Sequence, residues 1–96
     1  MPKRINVGCA SRLLDGYLNI DTDSLEDIEK RYPNIEINRN LDYHQGSLFD
    51  LDLADDSAEE IRADSLIEHL SFKEEKQFFI TAKRLLKPNG LLSIET

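Results

Sequence analysis

A chain of 96 residues suffices for one domain, and its 40% hydrophobic and 32% charged content excludes an intrinsically disordered chain. Its 19 acids against 12 bases, a formal charge of −7, disfavour a nucleic-acid partner, because phosphate binding needs a basic stripe. Cys9 is the single cysteine, so no internal disulfide forms; no segment nears the ~20 apolar residues of a membrane span, and the opening MPKRINVG lacks a signal peptide's apolar run. A cytoplasmic setting without a membrane partner is the expectation.

The first element is a short strand over Arg4–Val7, running into Gly8, where the missing Cβ lets backbone approach a ligand closely. Small residues follow at Cys9, Ala10 and Ser11, and Ser11–Leu14 has room for about a turn of helix whose N–H groups would face a polar or anionic group. After the Asp15-Gly16 turn, Tyr17-Leu18-Asn19-Ile20 alternates as a second strand. It ends on Asp21, the position where nucleotide-binding α/β units hydrogen-bond a ribose. Strand, Gly turn, strand and terminal acid in this order mark a ligand site.

Asp23 with Glu26 reads as a capping pair for a helix that puts Leu25, Ile28 and Tyr32 on one face and stops before Pro33. Residues 34–40 read as an irregular connection or short edge strand. Leu41–Gly46 is a third strand with Gly46-Ser47 as its exit. The acidic run from Asp50 to Glu60 is a surface loop, with Leu48, Phe49, Leu51 and Leu53 expected to point inward. Its carboxylates lack the glycine and terminal glutamate spacing of a calcium loop. Ile61–Asp64, continuing into Ser65-Leu66-Ile67, is a fourth strand. Ser71 and Glu74 form a capping box for the clearest helix, whose apolar stripe is Phe78, Phe79, Ala82, Leu85 and Leu86 and whose last turn carries Lys83, Arg84 and Lys87. Pro88-Asn89-Gly90 is expected to stop it, and Leu91–Glu95 to form a fifth strand buried on both faces. The order implies an α/β, Rossmann-like, doubly wound parallel sheet in a single domain over residues 1–96.

With these elements placed, the sequence resembles the class I S-adenosylmethionine-dependent methyltransferases of the type 11 kind. INVGCA is similar to that family's glycine-rich first motif, and YLNID to its second strand with the ribose-binding acid. GSLFDLDLADDSAEEIRADSLIEHL resembles the third-strand exit, acidic loop and fourth strand, ending here in Ile67-Glu68-His69, and AKRLLKPNGLLSIET resembles the helix, turn and fifth strand. The resemblance implies S-adenosylmethionine as cofactor. Gly8, Cys9 and Ala10 would line its methionine part, Asp21 would hold the ribose hydroxyls, Ser47 and Leu48 would border the adenine, and the backbone at Asp64 and Ser65 would complete the methionine side and face the acceptor. Three departures stand out. The motif's second glycine is Ala10, the acid beside the adenine is Ser47, and the chain ends at Thr96 where the family adds an antiparallel strand pair. The chain therefore resembles an amino-terminal fragment, with a fifth-strand edge open to self-association.

The implied chemistry is an in-line displacement at a sulfonium methyl, in which positioning supplies much of the rate. His69 is the candidate general base, the alternative being an anchor for the following helix or loop. His44 has no partner pattern, Cys9 reads as a small packing residue, and the three share no metal-ligand spacing. The acceptor class implied by resemblance is a small molecule, sugar or lipid bearing oxygen, nitrogen or carbon. Two alternatives stay open. A dinucleotide oxidoreductase fails two of the three glycines of its fingerprint. A non-catalytic cofactor-binding or protein-interaction module is the other.

Overall fold

In a computed structural model of the chain, residues 3–64, 66 and 70–95 are described. Strand β1 spans Lys3–Val7, and its Ile5 and Val7 are buried. β2 (Leu18–Asp21) pairs with it in parallel on one side and β4 (Ala58–Asp64) on the other. β3 (Tyr43–Gln45) extends the sheet beyond β2, and β5 (Leu86–Glu95) extends it beyond β4. The order is therefore β3-β2-β1-β4-β5, all parallel. Strand order reverses beside β1, and such a switch point opens a crevice at the carboxyl ends of the strands.

The registers give the sheet two unlike faces. Ile5, Leu18, Ile61 and Leu92 fall in one row and Val7, Ile20, Ala63 and Ile94 in the next. Against this apolar face packs helix α2 (Phe72–Leu85), which contributes Phe78, Ala82 and Leu85, each no more than 1% exposed. Phe and Leu side chains contribute about 1.5–3 kcal/mol each when withdrawn from water, and an Ala methyl less. The other face carries Arg4, Asn6, Asn19, Glu60 and Arg62. There the segment after β1 covers Asn6 and Asn19 in place of a helix.

The capping box at Ser71 is present in both directions: Ser71 Oγ accepts from Glu74 N at 3.2 Å, and Ser71 N donates to Glu74 Oε1 at 3.0 Å. The short helix α1 (Leu25–Arg31) is capped differently from the expectation. Ser24 accepts from Asp27 N at 3.1 Å, while Asp23 instead pairs with Arg31. Residues 34–40 are irregular, and a single 3₁₀ turn, Leu48–Asp50, follows β3.

Other expectations are corrected. β4 begins at Ala58, inside the run read as acidic loop, because Ala58 is fully buried beside β1. Phe49 and Phe79 are 41% and 38% exposed, so neither points fully inward; Phe79 rests edge-on against Phe78. Helix α2 stops at Leu85, and β5 already contains Pro88-Asn89-Gly90. A register shift after the Ala58–Leu86 pair absorbs these residues, with Asn89 at φ 69°. Gly90 is required there, since a Cβ would meet the Lys87 carbonyl oxygen at 2.9 Å. β5 has no fully buried residue and, among the described residues, is paired on one side only; Leu91 falls in the row of Arg4 and Glu60, on the face away from α2, and is 59% exposed.

Candidate cofactor site at the carboxyl ends of the strands

A cleft of about 740 Å³ opens at the carboxyl ends of β1, β2 and β4. Among the residues singled out from the sequence, Gly8, Cys9, Ala10, Asp21, Ser47, Leu48 and Asp64 all line it. Ser65 and the candidate base His69 lie outside the described residues. His44 does not line the cleft; it is half-buried on β3, and its Nε2 has no hydrogen-bond partner among the described residues.

The Gly turn is built by crossing hydrogen bonds rather than by a helix. The N–H groups of Gly8 and Cys9 both donate to the Ile20 carbonyl, at 2.8 and 3.1 Å, and Arg12 N closes a turn on the Cys9 carbonyl at 2.8 Å. Ala10 N donates to Asp21 Oδ2 at 2.8 Å. The expected short helix at Ser11–Leu14 is therefore absent, and the N–H groups of residues 8–10 are taken up within the protein. Gly8 sits at φ +65°, and a Cβ there would meet Leu66 Cδ1 at 3.0 Å. Ala10 holds a left-handed φ of 47° without being glycine.

Asp21 is fixed from three directions. Besides Ala10, Asp23 N donates to its Oδ1 at 3.2 Å, and Gly46 N donates to its backbone carbonyl at 2.8 Å, bringing the exit of β3 alongside. The Tyr43 hydroxyl donates to the carbonyls of Asp21 and Asp23; burial first, and the Asp21 charge second, push its pKa up. The same two causes push the Cys9 thiol up to about 12, so Cys9 is a neutral packing residue beside the acid.

Asp64, at the end of β4, borders the cleft on the other side of β1 from Asp21. Its Oδ2 accepts from Arg62 Nε at 3.1 Å, while Oδ1 is buried and has no hydrogen-bond partner among the described residues. A buried acceptor without a donor is costly, about 1–3 kcal/mol. Such an atom suits a ligand that brings an N–H or O–H.

Two residues that hold the site escaped the sequence reading. Asn19 is fully buried; its Nδ2 donates to the carbonyls of Leu14 (3.1 Å), Tyr17 (3.3 Å) and Asp42 (2.9 Å). Its Oδ1 accepts from Leu14 N and Asn6 Nδ2, each at 2.9 Å, and Asn6 also donates to the Arg12 carbonyl at 2.9 Å. This pair straps the segment after the Gly turn to the sheet. The available signal was a polar side chain in mid-strand on each of two adjacent apolar strands.

Comparison with known families then settles the relationship: a family model described as a methyltransferase domain matches residues 7–94. The chain belongs to this methyltransferase family. The match covers every element from the Gly turn to β5, and it removes the dinucleotide oxidoreductase alternative. No curated protein gives a significant match. Within the methyltransferase domain, the cleft is formed by the first-motif turn, the end of β2 and the end of β4.

Proposed function

We infer that this methyltransferase domain binds S-adenosylmethionine in the cleft and directs its methyl group to an oxygen, nitrogen or carbon of a small-molecule, sugar or lipid acceptor. The observation that carries the reading is Asp21: a carboxylate at the end of β2, held in place by backbone donors beside a left-handed Gly turn, on the wall of a cleft of about 740 Å³. That volume falls within the ~300–1,000 Å³ typical of cofactor sites. The residues fit the group: Asp21 would hold the ribose hydroxyls, Gly8, Cys9 and Ala10 the methionine chain, and Ser47 and Leu48 the adenine. Asp64 and Ser65 would border the amino acid end, where the unpartnered Asp64 Oδ1 suits an ammonium donor. The cofactor supplies an electrophilic methyl on a sulfonium. The protein's part is to hold and orient, and orientation alone is worth up to ~7–11 kcal/mol in well-aligned systems.

A second reading, cofactor binding without turnover or association through the sheet edge, draws on one observation: β5 is paired on one side only, with Leu91 59% exposed. The single, buried, protonated Cys9 accords with a cytoplasmic setting, and no described helix is long and apolar enough to cross a membrane.

Calorimetric titration with S-adenosylhomocysteine, beside an Asp21→Ala variant and an NAD control, tests the first reading. Binding of S-adenosylhomocysteine that is lost in the variant is the expected result. A folded protein that binds neither ligand overturns it.

A further inference from the structure

The outward face of α2 differs in charge from the rest of the molecule. Ser71–Lys87 holds five bases and two acids, in a chain of formal charge −7. Phe78, Ala82 and Leu85 point into the core, which turns Phe72, Lys73, Lys76, Ile80 and Lys83 outward at helical spacing. Phe72 is 85% and Ile80 61% exposed, and all three lysines are exposed, as is Lys87 beyond them. Among the described residues none of these four lysines makes an ion pair; the helix's remaining base, Arg84, is held by Asp55. The capping acid Glu74 lies on the cleft side, and Glu75 is half-buried.

We propose that this face is a docking surface for an anionic lipid bilayer. Unpaired lysines interleaved with an exposed aromatic and an exposed aliphatic side chain supply both parts of peripheral membrane attachment, charge attraction and shallow apolar insertion. The overall negative charge does not prevent it. At physiological ionic strength charges are screened beyond ~8 Å, whereas the molecule measures 39 × 32 × 22 Å, so the acids on its far side are screened from a bilayer touching α2. Of the two acids that flank its last turn, Asp55 is paired with Arg84, and Asp56 offsets part of the charge of Lys83 and Lys87. The surface also adjoins the cleft: Leu70 and Glu74, flanking Phe72 in sequence, line it. Docking would set the cleft mouth near the bilayer. The proposal does not rest on the methyltransferase reading, since it concerns the helix surface alone.

The test is flotation of the full chain with phosphatidylcholine vesicles, with and without phosphatidylglycerol, over a range of salt. The expected result is co-flotation with the anionic vesicles only, weakening as salt rises. Lys73→Glu with Lys76→Glu should lower partitioning about tenfold or more. Phe72→Ser with Ile80→Ser should lower it several-fold with an unchanged salt slope. These positions are exposed, so thermal midpoints should not move, and Leu91→Ser, on the sheet edge, should bind like the parent. Absence of co-flotation, or binding indifferent to the lysine reversals, overturns the proposal. So does loss of binding in Leu91→Ser, which would assign attachment to β5. Concentration-dependent self-association removed by the lysine reversals, without vesicle binding, would replace the bilayer by a second copy of the chain.

Discussion

The backbone N–H of Ala10 donates to Oδ2 of Asp21 at 2.8 Å, so the turn after β1 and the end of β2 are one unit. An acid in this position both shapes the turn and presents its remaining acceptor capacity to the cleft. Asp21→Asn keeps one acceptor oxygen, whereas Asp21→Ala removes both. Charge-assisted hydrogen bonds are worth ~1.5–3 kcal/mol each. The Ala variant should therefore lose at least about tenfold in S-adenosylhomocysteine affinity by calorimetry and several degrees in thermal midpoint, with Asn intermediate in both.

The two left-handed residues of the turn should respond in opposite directions. Gly8→Ala places a Cβ at φ +65° and 3.0 Å from Leu66, and should destabilise by more than the ~1–2 kcal/mol of a left-handed L-residue. Ala10→Gly removes that penalty at φ 47° and should stabilise by about 0.5–1 kcal/mol after the added chain entropy of glycine. Urea unfolding of both variants measures the contrast. A destabilised Ala10→Gly would show that Ala10 is not strained.

Asn19 is the most heavily bonded side chain near the site, with three carbonyls and two donors satisfied from a fully buried position. Asn19→Leu takes this partner from the Leu14 N–H and from the Leu14 and Tyr17 carbonyls, while Asp42 O keeps the residue-19 N–H and Asn6 keeps the Arg12 carbonyl, and should cost about 3 kcal/mol or more. Amide hydrogen exchange at Leu14 should accelerate in a milder variant such as Asn19→Ser. Unchanged exchange would remove the strap from the account.

Cys9 gives a pH prediction with a definite sign. Its folded pKa is about 12, against 9.0 for the exposed thiol, so between these values the folded state holds a proton that the unfolded state has lost. Stability from this group is complete below about pH 9 and falls as pH rises toward 12. Cys9→Ala should flatten that alkaline decline in a series of thermal melts. A thiol reagent at neutral pH should react with the parent only at the rate of unfolding.

Asp64→Asn tests which end of a ligand meets β4. The variant should weaken S-adenosylhomocysteine several-fold while leaving 5′-methylthioadenosine, which lacks the amino acid portion, unchanged. Equal losses for both ligands would place Asp64 elsewhere in the site.

Local chemistry made much of this protein legible in its sequence. Gly8, Asp21, Ser71 and Glu74 are recognisable because a left-handed turn, a strand-end acid and a capping box each require particular residue types within a few positions. Helix α2 followed from its apolar periodicity, and the parallel sheet from the alternation of strands and connections, whereas the strand order β3-β2-β1-β4-β5 came from the structure. The helix N-cap at Ser24 rather than Asp23 shows the limit of that reading, since either side chain can cap; in the structure Ser24 does so, and the Asp23 carboxylate turns instead to Arg31 in the last turn of the same helix.

Tertiary structure decided what depends on distant partners. Ala58 enters β4 because β1 lies beside it, and β5 takes in Pro88-Asn89-Gly90 because its register with β4 has room for an irregularity. Asn6 and Asn19 become the strap of the site only once their strands are neighbours, and Asp64 Oδ1 lacks a donor among the described residues only in the assembled structure. Periodicity reports which side of an element is apolar. Which groups meet, and which remain unsatisfied, is fixed when the strands assemble.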